Sequence, residues 1–581
     1  MLSRFFGVAF AALASATCYE PSFAHPPPEY DRHHPALKDA FTHIHDVLTI
    51  TLGDPKYNST SISVEITSSK ESLWEFHHTA HERNSSRPDI PQVNGDALYR
   101  IASITKAFTV LGLLQQHAAG NLSLDEPLDK YISELKAPQN GTIPWKDITL
   151  RSLASQLSGI PRELAQSDLI NSENLVEEWG LPPVSREGLI TCDEYSEDYQ
   201  KPCTADDLVR SVKAGRPIFA PNQQSTYSNV AFELISLAIA NVTNQTYESY
   251  IEDAIFKPLE MKKSTFSKPQ DSAGVIPLWP HYWDVDEGIQ NPTGGIYTSS
   301  NDLSKFVRYV LANYNGITHA LNWLHPVSNS KNLHNFYGMP WEIFQSDRVL
   351  PNSKRTIRFI TKGGALPGYF SLIIFIPQYD LGITLLIGGS PDIFDTLLET
   401  VSIGVARAAE EVAISQLQQG YAGRYIAADP NLNSSLILNA DHRGLVVENF
   451  ISNATDVLQS SLVEYLGRPK GKPWYLLLVP TLLYRNEEDQ KGEVWRMHVA
   501  TERPKGDRDI WDDSCITDID GMLYGGVPLN EVTLWKGPSG LVYDIELVGF
   551  RVNLTRIFSH PPAVLQLEDD EDTKEETQME L

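Results

Sequence analysis

Ser103-Ile104-Thr105-Lys106 opens a segment in which Ile104, Ala107, Phe108, Val110, Leu111, Leu113 and Leu114 cover most faces of one helix before Gly120 ends it. A helix apolar on nearly every side belongs inside a domain. Residues three apart share a helix face, so Ser103 and Lys106 point into the same space. They do so at the amino end, where the dipole and free N–H groups favour negative charge. That placement suits a serine nucleophile. A hydroxyl reacts only once a neighbour takes its proton. Partial burial or a nearby cation would lower a lysine from its usual pKa of ~10.4 far enough to serve. The competing reading is a helix-capping serine and a surface lysine. The apolar run on both sides argues against it.

Two later stretches complete an ordered set. Tyr227-Ser228-Asn229 follows the rigid approach Pro217-Ile218-Phe219-Ala220-Pro221 and precedes a predicted helix. A phenol with a usual pKa of ~10 becomes a base only beside positive charge, which Lys106 and Lys362 would supply. Asn229 both donates and accepts, which suits holding a substrate amide and the lysine together. Alone, the pair reads better as a core tyrosine and a helix cap. Lys362-Gly363-Gly364 interrupts strand residues, and glycine within a strand often marks close approach of a backbone or ligand. A substrate lying along that strand as an extra antiparallel partner would meet the N–H groups of Ser103 and Ala365 as an oxyanion hole. Gly364, Pro367 and Gly368 also read as turn residues. Each spacing alone is weak, because Ser328-Asn329-Ser330-Lys331 and Tyr484-Arg485-Asn486 repeat the first two.

Around these stretches the periodicity alternates between classes. Helical spacing runs from Pro35 to Leu52, and strands are predicted at 61–66 and 74–76. Helices follow at 150–158, 205–214, 229–240 and 301–311. Strands return at 356–361, 369–376 and 382–387, the last two joined by the turn Pro377-Gln378-Tyr379-Asp380. Helices between early and late strands imply an α/β (α+β) domain with a helical region inserted, over 36–415. After a helix at 394–417, short strands at 434–438, 444–449, 474–478, 493–500, 531–536 and 541–552 predict a smaller antiparallel β domain over 420–566. A barrel with a ligand pocket and a packing or dimerisation module are both open for it.

The chain has 581 residues, 41% hydrophobic and 10% aromatic, enough for sizeable cores. With 47 Lys plus Arg against 74 Asp plus Glu, its formal charge is -27. So acidic a surface repels phosphate backbones, which excludes nucleic acid as a partner. Part of the excess is local, in an acidic tail at 567–581 expected to be solvated and disordered.

Arg4, the apolar run Phe5 to Leu13 and Ala14-Ser15-Ala16 read as a signal peptide within 1–18, too short to span a bilayer as a mature helix. Sequons at Asn58, Asn84, Asn121, Asn140, Asn241, Asn244, Asn433, Asn453 and Asn553 favour a secreted glycoprotein without stable membrane insertion. Cys192 and Cys203 bracket an acidic loop, and a bridge there would contribute on the order of 3 kcal/mol. Cys18 is then left for Cys515. That pairing requires cleavage after Ala16, because a cut beyond Cys18 leaves Cys515 alone.

The ordered set, with Leu98-Tyr99-Arg100-Ile101-Ala102-Ser103, Leu124-Asp125-Glu126-Pro127-Leu128, Leu153-Ala154-Ser155-Gln156-Leu157-Ser158-Gly159-Ile160 and Asn291-Pro292-Thr293-Gly294-Gly295-Ile296-Tyr297, resembles the serine β-lactamase and penicillin-binding-protein superfamily. It is most similar to the class C β-lactamase and D-alanyl-D-alanine carboxypeptidase-like branch, over about residues 40 to 410. With its leader, sequons and β domain it resembles secreted fungal β-lactamase-like proteins. The resemblance implies a β-lactamase/transpeptidase-like fold, an antiparallel sheet flanked by helices. It implies acylation of Ser103, proton transfers shared by Lys106 and Tyr227, and substrate positioning by Asn229, Lys362, Gly364 and Ala365. No cofactor or metal is implied. Gly363 departs from the family's Lys-Thr-Gly or His-Thr-Gly, lacking the hydroxyl that helps bind a substrate carboxylate. The expected substrate is therefore a small ester, amide, lactam or short peptide other than penicillin or a peptidoglycan stem, and the acyl acceptor is water or an alcohol. The α/β-hydrolase alternative lacks Gly-x-Ser-x-Gly, and His43-Ile44-His45-Asp46 lies in a predicted helix without a completing metal site. An acyltransferase of secondary metabolism using the same site, and a catalytically silent binding protein that keeps the fold, remain as rivals.

Overall fold

The computed structural model describes residues 19–558 except 21–22, 165–168, 172–177, 186, 191, 193–201, 279–281, 467, 469–470, 503–518 and 520. The leader at 1–18, Cys18, Cys515 and the tail at 567–581 lie outside the described residues. The described residues form two compact units, one within Pro26–Ala413 and one built from 19–25 together with 414–558.

In the first unit, helix α1 (Pro35–Leu52) buries Leu37, Phe41, Ile44, Leu48 and Leu52, a stripe at three- and four-residue steps. The strands are β1 (Ser61–Thr67), β2 (Ser72–His78), β3 (Ser328–Asn329), β4 (Asn335–Tyr337), β5 (Glu342–Ser346), β6 (Ile357–Leu366), β7 (Tyr369–Ile376) and β8 (Leu381–Gly388). They form one antiparallel sheet in the order β2-β1-β8-β7-β6-β5-β4-β3. Both faces are covered, and the pleat divides residues between two cores. Leu372, Ile374 and Ile376 join α1 and the first half of α5 (Phe394–Gly420). Ile373 and Phe375 face the helical region of α2 (Thr105–Ala118), α3 (Val230–Thr243) and α4 (Ser300–Asn313). Early strands, helical region and late strands thus make the expected α/β (α+β) fold.

One feature of the sheet positions the site. β5 pairs with β6 only as far as Glu342 opposite Thr361, whereas β7 accompanies β6 to Leu366. Lys362 to Leu366 therefore carry an edge that β5 leaves open.

The predicted helix at 150–158 stops at Ala154. Gln156 and Gly159 take φ of 63° and 70°, turning the backbone so that Gln156, Leu157 and Gly159 accept from the N–H groups of Thr226, Asn222 and Ile218. The segment becomes a template for the loop that carries Tyr227. The strands β3 to β5 were not predicted, being short and interrupted by Gly338 and Pro340.

In the second unit, the eight longer strands are β9 (Gly423–Ala427), β10 (Ser435–Asp441), β11 (Gly444–Ser452), β12 (Trp474–Asn486), β13 (Lys491–Thr501), β14 (Glu531–Lys536), β15 (Val542–Leu547) and β16 (Val552–Ile557), with the two-residue strand Thr455–Asp456 added beside β11. They run β10-β9-β16-β15-β14-β13-β12-β11, and β10 also pairs with β11, closing the sheet into a barrel. Its interior is filled by Tyr425, Leu436, Leu445, Leu478, Trp495 and Leu534 among others, as expected of eight strands. The predicted strand at 541–552 is in fact β15 plus the start of β16, separated by a turn in which Arg551 takes φ 54°. Its apolar alternation continues through the turn and hides it.

Cys192 and Cys203 are disulfide-bonded. Asn121, Asn140, Asn241, Asn244, Asn433, Asn453 and Asn553 are exposed, whereas Asn58 and Asn84 are half-buried.

A Cβ at Gly159 would lie 2.1 Å from the Phe219 carbonyl oxygen, and its φ is unfavourable for any L side chain. Gly159→Ala should lower the melting temperature by several degrees, with at least ~1 kcal/mol from the left-handed conformation alone. It should also lower activity by displacing the Tyr227 loop. A melt and a rate equal to those of the wild type would show that this template is dispensable.

Candidate active site

Ser103 does not sit in α2 itself but in a tight turn, Ala102–Ile104, immediately before it. Ala102 has φ 47°, a left-handed conformation worth ~1–2 kcal/mol of strain for an alanine. Ser371 Oγ, donating to the Ile101 carbonyl at 2.7 Å, pins the turn to β7. Ser103 is half-buried, and its N–H makes no hydrogen bond among the described residues.

Three side chains meet there. Lys106 Nζ donates to Ser103 Oγ at 3.0 Å and to the Thr293 carbonyl at 2.9 Å. The Tyr227 hydroxyl donates to Ser103 Oγ at 2.9 Å. Lys362 Nζ lies 5.3 Å from the centre of the Tyr227 ring, Lys106 Nζ 5.2 Å and Arg162 Cζ 4.8 Å. Three cations thus border one phenol.

Each shift in protonation has a visible cause. Burial pulls Lys106 below the usual lysine range, and the like charge of Lys362 adds to this while Tyr227 opposes it. Burial alone would raise Tyr227, but Lys106, Lys362 and the Ser103 hydrogen bond outweigh it, and the phenol lies below its ordinary value. Lys362 is equally buried, yet Glu342 and Tyr227 hold it above the usual range. The two lysines are thereby shifted in opposite directions, Lys106 down and Lys362 up.

Asn229 is reached differently from the sequence expectation. Its Nδ2 donates to both carboxylate oxygens of Glu163 at 2.8 Å, and its Oδ1 is buried without a partner among the described residues. Gly364 stands in β6, not in the turn. A Cβ there would lie 2.3 Å from the Ile101 carbonyl oxygen and 3.0 Å from Ser103 N, so only glycine lets the strand approach the serine turn. Gly363 N–H donates across the open side to Glu342. Strand alternation then aims the Ala365 N–H to the same side.

Glu342, Glu163 and Arg162 were missed in the sequence. Glu342 Oε1 accepts from Lys362 Nζ at 2.8 Å and its Oε2 accepts from Gly363 N–H at 3.1 Å. Arg162 Nε donates to Glu163 at 2.9 Å. Neither the Glu342–Lys362 nor the Glu163–Asn229 pairing has a local signal, since one needs the β5–β6 register and the other a loop folded back on α3. The decoys lie elsewhere, Ser328-Asn329 in edge strand β3 and Tyr484 to Asn486 in barrel strand β12.

The Beta-lactamase family profile matches residues 69–406. The chain belongs to the beta-lactamase family. A second profile, described as Beta-lactamase-like-like, C-terminal domain, matches residues 413–557. The chain is 30% identical over 573 residues to the protein named "Probable hydrolase M10" of Phoma sp., covering 96% of this chain and 94% of that one. It is 31% identical over 532 residues to a "Beta-lactamase-like protein" of Arthroderma benhamiae, covering 84% and 86%. The relationship thus includes the barrel as well as the hydrolase fold.

This beta-lactamase-family site has a further buried acid beneath it. Glu233 on α3 is fully buried, and neither carboxyl oxygen has a hydrogen-bond partner among the described residues. Burial and the nearby charge of Glu163 push it up to about 8, against partial relief from Lys106. A carboxyl with a raised folded-state value opposes folding progressively as pH climbs from its unfolded value near ~4.3 through 8. Glu233→Gln should therefore stabilise the protein little at pH 5 and by a few kcal/mol, on the order of several degrees in melting temperature, at pH 8. An equal change at both pH values would mean that Glu233 has no such shift.

Proposed function

We propose that the chain is a secreted serine hydrolase that opens a small ester, amide or lactam through an acyl-enzyme on Ser103. The observation that carries this is the convergence of Lys106 Nζ and Tyr227 OH on Ser103 Oγ at 3.0 and 2.9 Å. A lysine and a phenol both lowered from their ordinary values and both in contact with one hydroxyl are suited to accept its proton as a pair. In the first step Ser103 Oγ bonds to the substrate carbonyl carbon while its proton passes to the Tyr227–Lys106 pair. The carbonyl oxygen becomes negative and is met by the N–H groups of Ser103 and Ala365. The bond to the leaving group then breaks, and the pair returns the proton to it. Water repeats the sequence in reverse and frees Ser103. Asn229, held by Glu163, presents its Oδ1 to a substrate N–H, and Lys362 sustains the field that keeps Tyr227 acidic. The leader within 1–18 and the exposed sequons support export of this activity from the cell.

A fluorophosphonate probe should add one adduct to the wild-type mass and none to Ser103→Ala. An unlabelled wild type would instead favour a silent binding protein. If Tyr227 is the proton acceptor, its ionisation sets the acid limb of the kcat/KM profile. Lys362→Met removes a cation that lowers Tyr227, so the limb should move to higher pH with a lower plateau. An unmoved limb would remove Tyr227 from the proton path.

A further inference from the structure

Glu342 occupies the place where an anionic substrate group would bind. Lys362 and the backbone N–H of Gly363 are the positive and hydrogen-bonding groups on the open side of β6. Both are already engaged by one internal carboxylate, at 2.8 and 3.1 Å. Glu342 is not locked away, since 36% of its side chain is exposed. Nor does packing demand a bare residue at 363. A Cβ there would meet Glu342 Oε2 at 3.5 Å and Leu372 Cδ1 at 3.7 Å, ordinary contact distances. The first residue of β5 thus presents a carboxylate toward the edge of β6 along which a substrate would lie, and β6 offers no hydroxyl beside it. The chain's formal charge of -27 repels anions at longer range in the same sense.

Resting on the acyl-enzyme reading above, we propose that Glu342 is a specificity-determining residue that rejects substrates with a carboxylate beside the scissile bond and selects uncharged or cationic ones. An incoming carboxylate would face a like charge at contact range and find both donors taken. An amide or ester in the same position would accept from neither but suffer no repulsion. An ammonium would gain an ion pair.

The test uses aryl esters of one acyl group whose leaving group is 3-hydroxybenzoate, 3-hydroxybenzamide or 3-(aminomethyl)phenol. The wild type should favour the amide and amine over the benzoate by at least tenfold in kcat/KM. Glu342→Gln keeps the shape and removes the charge. It should raise the benzoate-to-amide ratio by tenfold or more and lower the preference for the amine. Glu342→Ala should move both ratios in the same direction. A binding measurement keeps this separate from the acyl-enzyme reading. Calorimetry of phenylacetylglycine against its amide on Ser103→Ala, with and without Glu342→Gln, should show the carboxylate gaining affinity by at least fivefold once the charge is gone. If Ser103 takes no probe but this gain appears, the hydrolase reading falls and the selectivity stands. If Ser103 is labelled and the ratios stay flat in both variants, or the wild type prefers the benzoate, the role of Glu342 is overturned.

Discussion

Two ammonium groups buried around one phenol set the terms for everything else in the first unit. Lys106 and Lys362 are 0% and 1% exposed, and each would forfeit several kcal/mol of hydration without compensation. The two are compensated unequally. Lys362 has a carboxylate at 2.8 Å that holds it above the usual lysine range, whereas Lys106 meets hydroxyls, a carbonyl and aromatic faces and lies below that range. That asymmetry moves two similar residues in opposite directions, Lys362 toward holding its proton more tightly and Lys106 toward holding it less.

Holding such an arrangement requires rigid suppliers on several sides. The Thr293 carbonyl reaches Lys106 because Thr109, one turn further along α2, donates to the Pro292 carbonyl at 2.7 Å. Behind the serine turn, buried Arg100 donates to the carbonyls of Tyr282 and Val285 and pairs with Glu287 at 3.2 Å. Tyr227 is delivered by a loop with no regular structure of its own. It borrows order from the 156–162 segment, where Ser228 Oγ donates to the Pro161 carbonyl at 2.7 Å and its N–H donates to Gln156 Oε1 at 2.7 Å. The residues in contact with Ser103 are few, but the backbone that aims them comes from widely separated parts of the chain.

That distribution explains what was legible in advance. Helix α1 runs from Pro35 to Leu52 as read, because its apolar stripe and first-turn proline are local signals. Ser103 with Lys106, Tyr227 and Lys362 stood out through short spacings that happen to encode geometry. Glu342 did not, since it reaches Lys362 through strand pairing across twenty residues. Glu163 and Arg162 follow a helix that ends early, and nothing local marks Gln156 as a residue that turns the chain with positive φ. The barrel's last hairpin was hidden for the opposite reason, an alternation that persists through the turn.

The adjacent glycines of β6 show how two identical residues answer to different constraints. At Gly364 a Cβ would sit 2.5 Å from Ser371 Oγ as well as 2.3 Å from the Ile101 carbonyl, so the serine turn could not close against the strand. Chain packing dictates that position. At Gly363 the surroundings are ordinary contact distances, and packing has no objection to a Cβ. What differs there is chemical. A hydroxyl at 363 would stand next to Glu342 Oε2, which already accepts from the Gly363 N–H. It would add a donor to that carboxylate and fasten it further, not free Lys362 for an incoming anion. The bare residue and the internal carboxylate are therefore one electrostatic arrangement, and reversing it requires the charge at 342 to go before a hydroxyl at 363 has anything to bind.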